Sequence, residues 1–179
     1  MLEKILVFDT ETTGFRSDDE VLTLAVVDGM GTTVVDDRYA PVRKTAWPEA
    51  EKINRISPAM VMGCPPILAQ QVALERIFND PGTLLVGYNI EFDIRLLAQS
   101  GIRITNPNRH DVMLAFSAFR KVPDARRGGY RWWKLTECAA YYHYDWGMTQ
   151  AHGALADTLA TLYCYQRMKE PVYEEQSLF

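Results

Sequence analysis

The sequence predicts a mixed α/β layer fold, with a hairpin sheet first and alternating helix and strand after it. Two patterns carry this prediction. Residues 20–40 alternate as two strands about a glycine turn, and beyond residue 65 apolar residues recur at helical spacing around one short apolar strand. In order, residues 3–9 (EKILVFD) form a first strand, broken by the TTGF that ends at Phe15. Residues 20–28 (EVLTLAVVD) form a second, Gly29 and Gly31 flank a turn, and residues 32–40 (TTVVDDRYA) return as a third. Pro41 and Pro48 then interrupt strand structure. Residues 66–79 read as a helix, with Pro66 at its start and Pro81–Gly82 past its end. Residues 83–88 (TLLVGY) read as a buried strand, and 91–100 as a helix stopped by Gly101. Further helices fall over 112–120, 132–142 and 153–169, the last with Leu155, Leu159 and Leu162 at helical spacing.

At 179 residues, with 47% apolar and 23% charged, the chain suits a single domain over 1–179, with residues 170–179 as a flexible tail. No apolar run approaches the ~20 residues that span a bilayer, so no membrane partner is expected. The first strand begins at once, which leaves no room for a secretory leader. Cys64, Cys138 and Cys164 are scattered, odd in number and without metal-ligand spacing, which suits reduced core thiols of a cytoplasmic protein. A net charge of −4 does not suggest a nucleic-acid binder, although local charge matters more than the total.

The acids are harder to explain. Asp9 and Glu11 point the same way from a strand that heads into the core. Like charges side by side repel, and a buried unpaired carboxylate is costly, so a cation must answer them. Asp93 lies just past the short apolar strand at the start of a helix, where sites form in open α/β sheets. Asp157 lies in the first turns of the last helix, five residues after His152. On one helix that spacing sets two side chains roughly 140° apart, so His152 belongs on the loop entering the helix, with Gly153 allowing the break. Singly, each residue has an ordinary structural reading: Asp93 starts a helix, Gly14 makes a turn, Phe92 packs in the core. His110 and His143 have no carboxylates at a useful spacing and read as structural.

Taken in order, FDTETTG, GYNIEFD and AHGALADTLAT resemble the DEDDh 3′→5′ exonuclease superfamily over nearly the whole chain. The resemblance implies an α/β, RNase H-like fold: a five-stranded mixed sheet with one antiparallel strand and helices on both faces. It implies that Asp9, Glu11, Asp93 and Asp157 hold two Mg²⁺ or Mn²⁺ ions, with Asp9 bridging both, and that His152 is the general base. Two hard cations about 4 Å apart suit phosphodiester hydrolysis, because one generates the nucleophile and the other stabilises the leaving oxygen. Oxygen ligands fit such ions, and the absence of thiolate and paired-histidine ligands argues against structural zinc. PEAEKINRIS (48–57) is similar to the segment that contacts the terminal nucleotide in polymerase III proofreading subunits. There Glu49 and Asn54 fall on substrate-contacting positions, where Asn54 replaces a common His and Arg55 a common Gly; Tyr88 likewise replaces a frequent His. The implied substrate-binding set is Thr10, Thr12, Thr13, Gly14, Glu49, Ile53, Asn54, Asn89 and Phe92, with Asn89 fixing the backbone beside Asp93.

The expected activity is 3′→5′ hydrolysis of single-stranded or frayed DNA to nucleoside 5′-monophosphates. DNA is favoured over RNA on the PEAEKINRIS likeness. An RNA-trimming exoribonuclease and a non-catalytic polymerase-associated module are the competing readings, and the filled catalytic positions argue against the second. The basic segment 120–134 (RKVPDARRGGYRWWK) interleaves cations with Tyr130, Trp132 and Trp133. It reads as a mobile loop at Gly128–Gly129 whose arginines touch nucleic acid, with at least one Trp in the core. The terminal SLF partly resembles the short peptides that dock bacterial replication proteins on the sliding clamp.

Overall fold

The computed structural model describes residues 4–126, 128–147 and 153–170. Strands β1 (Lys4–Thr12), β2 (Val21–Asp28) and β3 (Thr33–Arg38) form an antiparallel meander. β4 (Thr83–Gly87) pairs parallel with β1, and β5 (Arg109–Asp111) parallel with β4. The five-stranded sheet therefore has the order β3-β2-β1-β4-β5, with β2 running against the others. This is the RNase H-like arrangement that the resemblance implies.

Alternation along β1 divides the core. Leu6 and Phe8 turn to one face, where they pack with Leu74 and Phe78 of α3 (Gln71–Phe78) and Ile94 and Leu97 of α4 (Ile90–Gln99). Val7 turns to the other and meets Phe116 of α5 (Val112–Arg120), Cys138 of α6 (Leu135–Tyr141) and Leu162 of α7 (Ala154–Lys169). Cys138 and Cys164 are buried free thiols, whereas Cys64, expected in the core with them, is only partly buried. Among the described residues no helix is long and apolar enough to cross a membrane.

Several elements differ from the sequence expectation. β1 does not stop at Asp9 but runs to Thr12, because β2 keeps pairing as far as Thr12↔Val21. The helix expected over 66–79 is split into a 3-10 turn (Ile67–Gln70) and α3. At the junction the Gln70 side chain is tied to Tyr39 and Asp37. α6 begins at Leu135 rather than at 132, since the Glu137 carboxylate accepts the Lys134 N–H at 2.8 Å and closes the helix there. Short helices between Pro48 and Asn54 (α1) and between Pro58 and Val61 (α2) were not apparent in the sequence; each has proline in its first turn. The segment expected as a mobile loop carries a two-stranded ladder, β6 (Pro123–Asp124) with β7 (Gly129–Tyr130).

Candidate metal and nucleotide site

β1 outruns its parallel neighbour. Its pairing with β4 ends at Val7↔Val86, so the final residues of β1 stand beside the start of α4. Asp93, in the first turn of α4 and 2% exposed, accepts the Thr10 N–H at 3.1 Å and the Thr10 hydroxyl at 2.6 Å. The orientation of α4 is fixed from below by Asp111, which the sequence reading did not single out. Its carboxylate accepts the N–H groups of Asn89 and Ile90, each at 3.2 Å, and caps α5 through the Leu114 N–H at 3.1 Å. Asn89 itself takes a left-handed conformation (φ 62°), which Asn tolerates better than most residues, and so turns the chain into α4.

On the other face α7 crosses β1 and β2 and brings Asp157 to Asp9 and Glu11. One carboxylate oxygen from each of these three acids lies within 4.8 Å of the others. Burial, then the charges of Asp93, Glu11 and Asp157, push Asp9 well above the usual carboxylate range. Burial and the charges of Asp157 and Asp93 raise Glu11 to about 7, against the lowering effect of a hydrogen bond from Asn54. Burial raises Asp93 to about 7, although its two bonds from Thr10 oppose the shift. Such a cluster is unfavourable without a cation. Its all-oxygen donor set fits a hard divalent ion of the Mg²⁺ or Mn²⁺ kind.

Beside the acids opens a pocket of about 470 Å³, of the size that holds a small ligand. Its walls bring together most of the residues expected to touch substrate. Thr10, Thr12, Thr13 and Gly14 come from the end of β1 and the turn after it; Glu49, Ile53 and Asn54 come from α1; Phe92 comes from α4. Phe15, Arg16 and Lys44 line it as well and were not anticipated. Gly14 is required by space, since a Cβ there would lie 2.5 Å from an oxygen of Asp19. Asp19 closes the turn by accepting the Thr13 hydroxyl at 2.8 Å and the Arg16 N–H at 2.7 Å. Asn89, expected in the substrate-binding set, does not line this pocket, and its main-chain N–H donates to Asp111. His152 lies outside the described residues, as does the terminal SLF.

Asn54 has a different setting from the one its sequence position suggests. It is 7% exposed, donates from Nδ2 to the Thr12 carbonyl at 3.0 Å, and accepts the Ile56 N–H at 3.0 Å. With its bond to Glu11, the side chain ties α1 to the acidic end of β1. The basic segment is likewise drawn inward. Trp133 packs edge-on against Phe116, with ring centroids 5.9 Å apart, and its carbonyl accepts the Tyr88 hydroxyl. Arg120 stacks 4.7 Å from both the Trp133 and Tyr141 rings. Arg131 lies 4.1 Å over Trp133 and pairs with Glu137 at 2.6 Å. Trp133 is thus the core tryptophan, and these two arginines are engaged by the protein's own aromatic rings.

The chain is also similar in sequence and fold to known proteins. An exonuclease family model (RNase_T) matches residues 6–165. The chain is 30% identical to an uncharacterised exonuclease, CP81, of Escherichia phage 186, over 88% of this chain and 84% of that protein. Among solved structures it is similar to Exonuclease I from Methylocaldum szegediense, at 22% identity and a TM-score of 0.68, covering 93% of this chain. The match spans only 41% of that Exonuclease I. It is also similar to Exonuclease X in complex with 5′ overhanging duplex DNA, at 21% identity and a TM-score of 0.66, covering 92% of this chain and 90% of that one.

Proposed function

The chain belongs to the exonuclease family, and we propose that it is a metal-dependent 3′→5′ exonuclease that shortens single-stranded or frayed DNA, releasing nucleoside 5′-monophosphates. The observation that carries this reading is the meeting of Asp9, Glu11 and Asp157 beside a nucleotide-sized pocket, with Asp93 buried alongside. Divalent ions of the Mg²⁺ or Mn²⁺ kind, held there, would supply the activation of water and the charge relief at the departing 3′ oxygen that phosphodiester hydrolysis needs. Asp9, Glu11 and Asp157 would hold the ions, and Asp93, fixed by Thr10, would complete the ligand set. The terminal nucleoside enters the pocket between the β1 turn and α1, with Phe92 against its base and the Thr12–Gly14 backbone near its sugar and phosphate. His152 takes the proton from the attacking water, a task that its ordinary pKa of ~6.5 suits near neutral pH. Its position supports the role: it immediately precedes Gly153, which opens α7 in extended backbone. DNA as substrate is supported by the PEAEKINRIS likeness and by the DNA bound to Exonuclease X.

The test uses 5′-labelled single-stranded DNA and RNA of one sequence with Mg²⁺, Mn²⁺ or EDTA, beside an Asp9→Ala control. A metal-dependent ladder shrinking from the 3′ end of DNA, absent in the control, is the expected result. A ladder on RNA alone moves the activity to RNA trimming. Binding without any ladder makes the protein a non-catalytic module.

A further inference from the structure

The basic segment 120–134 has a second side, which its aromatic stacks leave open. The chain enters this stretch as β7 and leaves it at Lys134 in extended backbone (φ −72°, ψ 154°), and in extended chain alternate residues face opposite ways. Arg131 and Trp133 share the inner side, where the guanidinium lies 4.1 Å over the indole and Trp133 packs on Phe116. Tyr130 and Trp132 therefore share the outer side, and each keeps 44% of its surface exposed. Two residues of extended chain set them ~6.7 Å apart along the strand. The ladder holds that spacing: β7 pairs with β6 at Pro123↔Tyr130, and the Arg131 N–H donates to the Val122 carbonyl at 2.8 Å. Lys121, at the end of α5, and Arg126, past β6, are both exposed. Among the described residues neither has a side-chain ion pair or hydrogen bond. The ladder also stands at the end of the sheet that carries the acids. Tyr88 follows β4, directly before the Asn89 turn that presents Asp93, and its hydroxyl donates to the Trp133 carbonyl at 2.9 Å.

Exposed aromatic rings flanked by uncommitted cations suit a partner with flat apolar faces and repeated negative charge, which is an unpaired nucleic-acid strand. A duplex has its base faces already stacked at a step of ~3.4 Å and offers such a surface only its backbone. We infer that Tyr130 and Trp132, with Lys121 and Arg126 beside them, hold unpaired DNA 5′ of the cleaved end, outside the nucleotide pocket. The inference rests on the exonuclease reading of the acidic site, whose substrate strand is the one held. The surface adds contact for long strands and leaves short ones unaffected. Asp124, the only acid in the segment, accepts the Arg126 N–H at 3.0 Å and acts against the strand.

The experiment measures binding of the dinucleotide pTpT, a long oligothymidylate and a blunt-ended duplex in EDTA, which stops hydrolysis, and the cleavage of pTpT and the long strand in Mg²⁺. Binding tightens from pTpT to the long strand. Tyr130→Ser with Trp132→Ser weakens long-strand binding on the order of tenfold and leaves the rate on pTpT unchanged. Tyr130→Phe with Trp132→Phe keeps the tight binding, which separates lost stacking from damage to the fold. Lys121→Gln with Arg126→Gln lowers the slope of log affinity against log salt by ~1.4. A serine pair that binds the long strand as the parent does overturns the inference, while cleavage of pTpT keeps the exonuclease reading. So does a phenylalanine pair as weak as the serine pair, or an equal loss on the duplex. A parent that holds the long strand through these rings yet cleaves nothing overturns the exonuclease reading and keeps the surface. A parent that neither binds nor cleaves overturns both.

Discussion

Asp9 and Glu11 show how one strand can be both core and site. Two-residue periodicity aims both carboxylates at α7, while Leu6 and Phe8 on the alternate face anchor the strand among α3 and α4. Burial and mutual repulsion then raise both acids, which is tolerable only where a cation is to be bound. Asn54 is the residue that steadies this arrangement from α1. Its replacement by Ala leaves the Thr12 carbonyl and the Ile56 N–H without their partners and removes the donor to Glu11. We expect a stability loss of about 2 kcal/mol in urea denaturation. We also expect kcat to fall by more than KM rises, because the change disturbs Glu11, a proposed metal ligand, rather than a substrate contact. A rise in KM alone would return Asn54 to the role of substrate contact.

At the scale of elements, the site depends on helices being held at fixed angles to β1. Asp111 does this for two of them, accepting N–H groups at the start of α4 and at the start of α5. Asp111→Ala therefore removes a helix cap and loosens the turn that presents Asp93. The expected cost is about 2 kcal/mol, seen as a lower melting temperature. Activity at saturating Mg²⁺ should fall as well, although Asp111 reaches the acidic cluster only through its charge on Asp93. Equal loss of stability with unchanged kcat would show that α4 keeps its angle without this cap. The short elements that the sequence did not reveal, α1 and β5, matter for the same reason: α1 walls the nucleotide pocket, and β5 carries Asp111.

For the whole molecule the acidic cluster links folding to pH and to metal. Glu11 and Asp93 sit at about 7 in the folded protein, against ordinary values of 4.5 and 3.8. Between those values the folded chain keeps protons that the unfolded chain has released. Their contribution to stability is thus complete below about pH 4 and is lost as pH rises through 7. In EDTA the melting temperature should fall between pH 5 and pH 8, and Mg²⁺ should reverse most of the fall at pH 8 by replacing the protons with a cation. A flat profile in EDTA would mean that the acids are not coupled as the geometry indicates.

Local pattern is enough to place the long elements and to single out the acids. Strong periodicity needs only local pattern, and the order of FDTETTG, GYNIEFD and ALAD survives any folding of the chain between them. The Thr12–Gly14 turn and Phe92 were legible for the same reason, as neighbours of those motifs. Which residues meet emerges only when the chain is packed. Strand register set Glu11, Thr23 and Arg38 in one row from three separate strands. Packing turned Arg120 and Arg131 onto Trp133 and left Arg38 and Arg55 uncommitted. Hydrogen bonding committed Asn54 to Thr12, Ile56 and Glu11. These outcomes depend on contacts between residues far apart in the chain, and such contacts leave no periodic trace in the residues that make them.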